Sequence, residues 1–536
     1  MDASAPLEAI RAYGHRHRER LATPGLALAV TDREGCLGVV LDGFANVDSR
    51  EPVAPHHRFQ IGSISKGFTA LAILQQVEEG RLDLHAPVTE FLPWFEVRSA
   101  FEPITLHHLL SHTSGIVTGM ESTLDAVPEV WSLRETETGF APGERFHYSN
   151  VGYKALGLVL EEVTGRPWWE SVRDRVLGPI GMQADVIITD AVRERLAVGY
   201  TSPYSHRPWL PRHGWAPSPW SESATADGTI CATAEELTVY ARLLLNAGAG
   251  VVSKASFERM TERVAVDPST PGHVYGYGVR WVDGRWLGHS GGMVGFTASL
   301  LVDIESGSGV AFLMNSAFGR RLELIRFALA CLAAEARGEP PPEVPDPASQ
   351  PGFADADAFT GTFTDERGRV DVVAEPPGLV VSAEGRHARL IPIDEARDAF
   401  VVDDPVLERF PIRFLRGAGL VTGAFWGPRW LRRPGSAGPN ELAAPHAWSR
   451  YPGRYVSWNP WAPGFDVFLR GDGLWLAPAS AGVEAGGELR LTALDEGIFR
   501  AGETWSPDRV RFDVVVQSRA QRATFDGAPF YRTSVP

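Results

Sequence analysis

Ser63 and Lys66 stand three residues apart in the stretch FQIGSISKGFTALAIL, Phe59 to Leu74. Lysine is scarce in this chain: Lys66, Lys154 and Lys254 are the only three among 51 lysines and arginines. Arginine fills most positions where any cation serves, so a lysine that persists points to a need for lysine itself. Arginine stays protonated in a protein, whereas a desolvated lysine can release its proton. HRFQIGS reads as an extended entry, and SKGFTALAILQQVEEG as a helix that stops at Gly80. Ser63 then falls at the helix N-terminus. There its side chain can cap, its backbone N–H is free and the helix dipole favours negative charge. Three residues make nearly one turn, which brings Lys66 Nζ within reach of Ser63 Oγ. A buried lysine beside a serine can accept the hydroxyl proton, the Ser–Lys form of nucleophile activation. The bland reading of the same pair is a capping serine and a lysine that snorkels to water.

Two further segments favour the chemical reading. FAPGERFHYSNVGYKALGLVLEEVTG places Tyr148, Ser149 and Asn150 immediately before a helical pattern. RWLGHSGGMVGF places His289, Ser290, Gly291 and Gly292 on a strand whose glycines permit close backbone approach. With these three motifs in this order, residues 5–335 resemble the serine β-lactamase and penicillin-binding-protein superfamily, including class C-like esterases and D-aminopeptidases. Its motifs are S-x-x-K, S-D-N or Tyr-x-Asn, and K-T-G or His-x-Gly. LHHLLSHTSG (106–115), APGERFHYSN (141–150) and ADGTICATAEEL (226–237) are lesser matches.

Carried over by position, the resemblance implies that Ser63 is the acylated nucleophile. Lys66 and Tyr148 would share its proton and return one to the leaving group. Asn150 would contact Lys66 and the substrate amide. His289, Ser290 and Gly291 would form the strand motif, and the N–H groups of Ser63 and Gly292 the oxyanion hole, where negative charge develops as attack proceeds. His289 replaces the lysine that holds a substrate carboxylate in penicillin-recognising members. Histidine is mostly neutral near neutral pH, so β-lactam hydrolysis is expected only as a side reaction.

The elements that must position these residues read as α+β over 1–336. An amphipathic segment (Leu7 to Leu21) precedes a hairpin, GLALAV and GCLGVVLDG. Helical patterns recur near 65–79, 105–111, 151–164, 168–177 and 234–246. A meander follows, YGYGVRWV, RWLGHSG, GFTASLLVDIE and GVAFLMNS, before the apolar helix LELIRFALACLAAEA. Strands at both ends imply one antiparallel sheet assembled from both ends, flanked by helices, with a helical part inserted. RGEPPPEVPDPASQPG (337–352) reads as a proline-rich linker.

The remainder repeats. FTGTF at Phe359 returns as YPGRY at Tyr451, 92 residues on. VDVVAEPPGLVV then matches FDVFLRGDGLWL, LIPIDEARDAFV matches LTALDEGIFRAG, and IRFLRGAGLVTGAFW matches VRFDVVVQSRAQRATFDG. Two small antiparallel β-barrels are expected, over 353–445 and 446–536, with their aromatics as core. One continuous β domain is the competing reading.

The 536 residues carry a net charge of −15, with 44% hydrophobic and 22% charged residues. That is a globular composition, and it argues against nucleic acid or anionic lipid as partner. Three scattered cysteines form no disulfide framework. The N-terminus has no secretory pattern, and no apolar run has membrane-spanning length, so a cytoplasmic protein is expected. No cofactor is expected, since no G-x-G-x-x-G or P-loop occurs, and no metal. His108 and His112 are spaced i, i+4 but lack the glutamate of H-E-x-x-H and a third ligand, so HHLLSH reads as structural. The loop PWLPRHGWAPSPW (208–220) fits either a cleft wall or a surface loop packed on the sheet.

The expected partner is a small molecule or short peptide; whether the chain forms a homodimer stays open. The leading functional expectation is a D-aminopeptidase- or amidase-like serine hydrolase acting on small peptides or amides, by analogy of architecture. The alternatives are a class C-like carboxylesterase with weak β-lactamase activity, a penicillin-binding-protein-like peptide-cyclising thioesterase, and a penicillin-binding sensor module without turnover.

Overall fold

Strands nearly 300 residues apart close one sheet. In this computed structural model the first helix, α1 (Ser4–Arg20), leads into β1 (Gly25–Thr31) and β2 (Cys36–Asn46). Helices α2 (Ser65–Glu78), α3 (Asn150–Thr164) and α4 (Ala234–Leu245) follow. The meander is β3 (Trp286–Met293), β4 (Phe296–Asp303) and β5 (Ser308–Met314), and α5 (Arg321–Ala336) ends the region. β1 pairs antiparallel with β2 on one side and with β5 on the other, from Leu26 opposite Met314 to Thr31 opposite Gly309. The sheet has nine strands, with short ones at both edges. The structure describes residues 3–317, 321–345, 356–376, 378–393, 398–417, 419–436, 444–471, 473–478 and 487–534.

Strand periodicity explains the layering. Leu26, Leu28 and Val30 of β1 face a core shared with Ile10 of α1 and with Leu324 and Ala328 of α5. The alternate residues, Ala27 and Ala29, face the larger core that includes Phe68, Tyr153, Leu237 and Tyr240 from α2, α3 and α4. Small residues there let the helices approach. Burying each of the three large β1 side chains contributes about 1.5–3 kcal/mol. Residues 65 to 76 of α2 are buried all round, as expected for a helix with no polar face. Phe68 of α2 stacks on Tyr240 of α4 at 4.1 Å between ring centroids. This buried helix fixes the position of Lys66.

Two closed eight-stranded antiparallel barrels follow. The first runs from Gly361–Asp365 to Arg429–Arg432 and the second from Gly453–Val456 to Ala528–Arg532. The repeated sequence segments occupy equivalent strands. VDVVAEPPGLVV and FDVFLRGDGLWL supply the second and third strands of each barrel, and the later pairs supply the fourth to seventh. Phe363 and Tyr455, at equivalent positions of the repeat, are fully buried. Phe400 and Phe414 fill the first barrel, and Phe499 and Phe512 pack beside Tyr451 in the second. Residues 346–352 of the linker lie outside the described residues.

The chain divides into two compact units: Met1–Thr201, Trp215–Val344 and Trp505–Pro507 in one, Ser202–Gly214, Pro345–Thr504 and Asp508–Pro536 in the other. The tryptophan-rich loop is divided between the two units after Gly214. Its first part belongs to the unit that holds the barrels. There Leu210 joins a buried cluster with Ile393 and Val401, and Arg207, Arg212 and His213 surround the buried Glu408 carboxylate. Its second part belongs to the other unit, where Trp215 Nε1 donates to Ala22 O (2.6 Å). Among the described residues no helix is long and apolar enough to cross a membrane.

Candidate active site

Lys66 is fully buried, and its Nζ is the hub of the site. It donates to Ser63 Oγ (3.0 Å), Asn150 Oδ1 (2.8 Å) and the Asp227 carbonyl (2.8 Å). Ser63 lies in a short 3-10 turn, Gly62–Ile64, immediately before α2. It does not cap the helix, contrary to the sequence expectation: Ile64 occupies the N-cap position, and no side-chain bond caps it. Ser63 Oγ receives the lysine instead, and Ser63 remains partly exposed.

Asn150 opens α3, and Ser149 caps that helix by accepting from Gly152 N–H (3.1 Å). The Tyr148–Asn150 segment hangs on the loop after Leu110. Thr118 O accepts from Asn150 N–H (2.8 Å), Thr118 Oγ1 donates to Tyr148 O (2.9 Å), and Ser149 Oγ donates to Val117 O (2.7 Å). Lys66 Nζ stands 5.1 Å from the centre of the Tyr148 ring, and the buried Tyr148 hydroxyl has no hydrogen-bond partner among the described residues. Trp505 stands edge-on to Phe140 (5.7 Å) and to His147 (6.3 Å), the neighbour of Tyr148.

The β3 strand comes directly against the serine turn. A Cβ on Gly291 would lie 1.8 Å from Ile61 O and 3.1 Å from Ser63 N. Gly62 has φ +53°, and a Cβ there would lie 2.7 Å from Gly292 O. Only glycine permits this approach and this backbone. Gly292 itself faces open space. His289 is buried among aromatic rings. Its Nδ1 donates to Ser290 O, and in the neutral ring Nε2 accepts from Tyr275 O–H (2.9 Å). Burial raises Tyr275 well above the ordinary phenol range, so it keeps that proton.

Ser63, Lys66 and Asn150 are thus joined by hydrogen bonds, Tyr148 adds its ring, and Gly291 and Gly292 touch the serine turn. The His289 ring lies 6.3 Å from that of Tyr148, centre to centre, with Nε2 bonded to Tyr275. Four participants have no role in the motif reading: His112, Thr118, Asp227 and Tyr275. The first three lie in stretches the resemblance marks only as lesser matches or just beyond one. Asp227 reaches Lys66 through its backbone carbonyl, and Thr118 holds the segment through both its carbonyl and its hydroxyl. Behind the site, Lys154 of α3 pairs with Glu121. Burial, and then the Asp227 carboxylate, raise Glu121 despite the lysine. Asp227 and Glu121 in turn hold Lys154 above its ordinary value although burial opposes them.

Among the described residues one group of side chains is close enough to hold a metal ion: Glu51, His56 and His57. His57 Nδ1 accepts from Ala54 N–H (2.9 Å), so Nε2 carries the ring proton toward Glu51 Oε1 (3.1 Å). That is a hydrogen-bonded pair with its ligand nitrogen already protonated. His108 Nδ1 accepts from Thr105 N–H at a helix start, and His112 Nδ1 accepts from Ser149 N–H.

The fold and the convergence of serine, lysine and asparagine define a serine hydrolase of the β-lactamase class. The Beta-lactamase family profile matches residues 11–334, and the chain belongs to that family. It is 31% identical over 368 residues to penicillin-binding protein 4 of Amycolatopsis lactamdurans, covering 64% of this chain and 94% of that protein. Among solved structures it resembles the octameric penicillin-binding protein homologue from Pyrococcus abyssi (25% identity, TM-score 0.59, 79% of this chain and 99% of that one). It also resembles a D-stereospecific amidohydrolase from a Streptomyces species (25% identity, TM-score 0.51, 62% and 99%).

Proposed function

We propose that this hydrolase cleaves amide bonds of small peptides or amides through an acyl-Ser63 intermediate, with a preference for D-configured acyl residues. The observation that carries the serine chemistry is Lys66 Nζ, buried and bonded at once to Ser63 Oγ and Asn150 Oδ1. With Lys66 as an amine that donates to Asn150 Oδ1 and the Asp227 carbonyl and accepts from the Ser63 hydroxyl, Ser63 Oγ attacks the carbonyl carbon while its proton passes to Lys66 Nζ beside Tyr148. The C–N bond then breaks, and the same proton goes to the leaving nitrogen. Water repeats the sequence in reverse, releasing the acid and restoring the Ser63 hydroxyl. The N–H groups of Ser63 and Gly292, brought together by Gly62 and Gly291, receive the charge that develops on the carbonyl oxygen.

The amide preference rests on the similarity to the D-stereospecific amidohydrolase. His289 supports it from the other side. No lysine stands at that position to hold the carboxylate of a β-lactam, and both ring nitrogens are engaged within the protein. Oligomeric assembly is proposed on the likeness to the octameric homologue and is read by light scattering.

The test is a panel of D- and L-aminoacyl p-nitroanilides beside p-nitrophenyl acyl esters. Faster turnover of D- than of L-aminoacyl amides is expected. Turnover of esters alone would replace the amidase reading with a carboxylesterase.

A further inference from the structure

His112 combines five features that a packing residue rarely has together. It is fully buried. Its φ is +56°, a left-handed backbone in which a histidine is strained. Its Nδ1 accepts from Ser149 N–H (3.1 Å), and its carbonyl accepts from His147 N–H (2.8 Å). Its ring lies 4.2 Å from the Tyr148 ring, centre to centre, and 4.6 Å from that of Tyr275. Its Nε2 has no hydrogen-bond partner among the described residues. Strain and an unpartnered buried nitrogen both oppose folding, and such features concentrate where geometry serves function.

We propose that His112 is the positioning residue for Tyr148 and Asn150, clamping the backbone on both sides of the tyrosine and seating its ring beside Lys66. The clamp takes His147 N–H on one side and Ser149 N–H on the other, so the tyrosine between them has no freedom to shift along the chain. The ring contact then fixes the tyrosine plane. An acceptor at Nδ1 requires a neutral imidazole. Burial, and then Lys66, hold His112 well on the neutral side, and His289, Arg280 and His147 act in the same direction. A protonated ring would present a donor to the Ser149 N–H and release the segment.

The proposal rests on the acyl-transfer reading of Tyr148 and Asn150, and its test carries one readout that is independent of activity. His112→Asn keeps an acceptor at the same branch of the side chain and tolerates the left-handed backbone. His112→Ala keeps neither. Displacement of a catalytic group by about an ångström costs on the order of 100-fold. For p-nitrophenyl butyrate, kcat of His112→Ala is therefore expected to fall about 30–100-fold with KM changed less than about threefold. His112→Asn is expected to stay within about fivefold of wild type, since it restores the clamp. Hydrogen exchange of the Ser149 amide is expected to accelerate in His112→Ala and to stay slow in His112→Asn. The proposal falls if folded His112→Ala keeps wild-type kcat or a protected Ser149 amide. It falls equally if His112→Asn is as impaired as His112→Ala. Activity surviving in Ser63→Ala would instead overturn the acyl-enzyme reading, leaving the exchange result to judge the clamp.

Discussion

Replacing Lys66 by arginine keeps the positive charge and removes the ability to accept a proton. The structure makes this substitution informative. One nitrogen reaches three oxygens, Ser63 Oγ at 3.0 Å and Asn150 Oδ1 and Asp227 O at 2.8 Å each. A flat guanidinium spreads its donors over a plane and cannot converge on the same three oxygens. At least one acceptor is orphaned in a fully buried pocket, at about 1–3 kcal/mol of stability. Loss of the base costs more in rate: general-base participation is worth roughly 10²–10⁴-fold, or about 3–5 kcal/mol in the barrier. We therefore expect kcat of Lys66→Arg to fall at least about 100-fold while the variant still folds. Stopped-flow release of p-nitrophenol measures the chemical step, and circular dichroism melting separates it from unfolding. A folded Lys66→Arg within tenfold of wild-type kcat would refute the proposed role of Lys66.

The two strand glycines should separate packing from chemistry. Gly291→Ala would drive a methyl into Ile61 O, so both the melting temperature and kcat are expected to fall; Gly292→Ala points into open space and should leave the melting temperature unchanged. A Gly291→Ala variant with wild-type kcat would contradict the close approach of this strand to Ser63. Glu121 gives a pH prediction. Its folded value is raised to about 7 from an ordinary 4.5, so ionising it in the fold is unfavourable. The cost is absent below the unfolded value, grows between the two, and is complete above the folded value. The melting temperature of Glu121→Gln relative to wild type should therefore rise as pH goes from 5 to 8. A flat or falling difference would contradict the buried, carboxylate-rich setting of Glu121.

The sheet was legible because its signals are local. The continuous apolar runs GLALAV and GVAFLMNS and the apolar stretch of α2 follow from burial on both faces of those strands and all round that helix. The barrels were legible because the same strand pattern occurs twice, and Phe363 and Tyr455 show the shared reason, a buried aromatic on the first strand. Ser63 with Lys66 and Tyr148 with Asn150 could be read because each pair is close in sequence. What joins one pair to the other could not. Asp227 O contributes as a carbonyl, which every residue has, so residue type carries no trace of it. The capping role expected for Ser63 failed for a physical reason: its Oγ can serve the helix or the lysine, and the buried lysine takes it.

Acid-quenched mass spectrometry of the enzyme during turnover of a p-nitrophenyl ester or a D-aminoacyl p-nitroanilide tests the central claim most directly. The account predicts one acyl adduct, on the peptide that carries Ser63, and neither adduct nor turnover in Ser63→Ala. Turnover without that adduct, or an adduct on another residue, would contradict it.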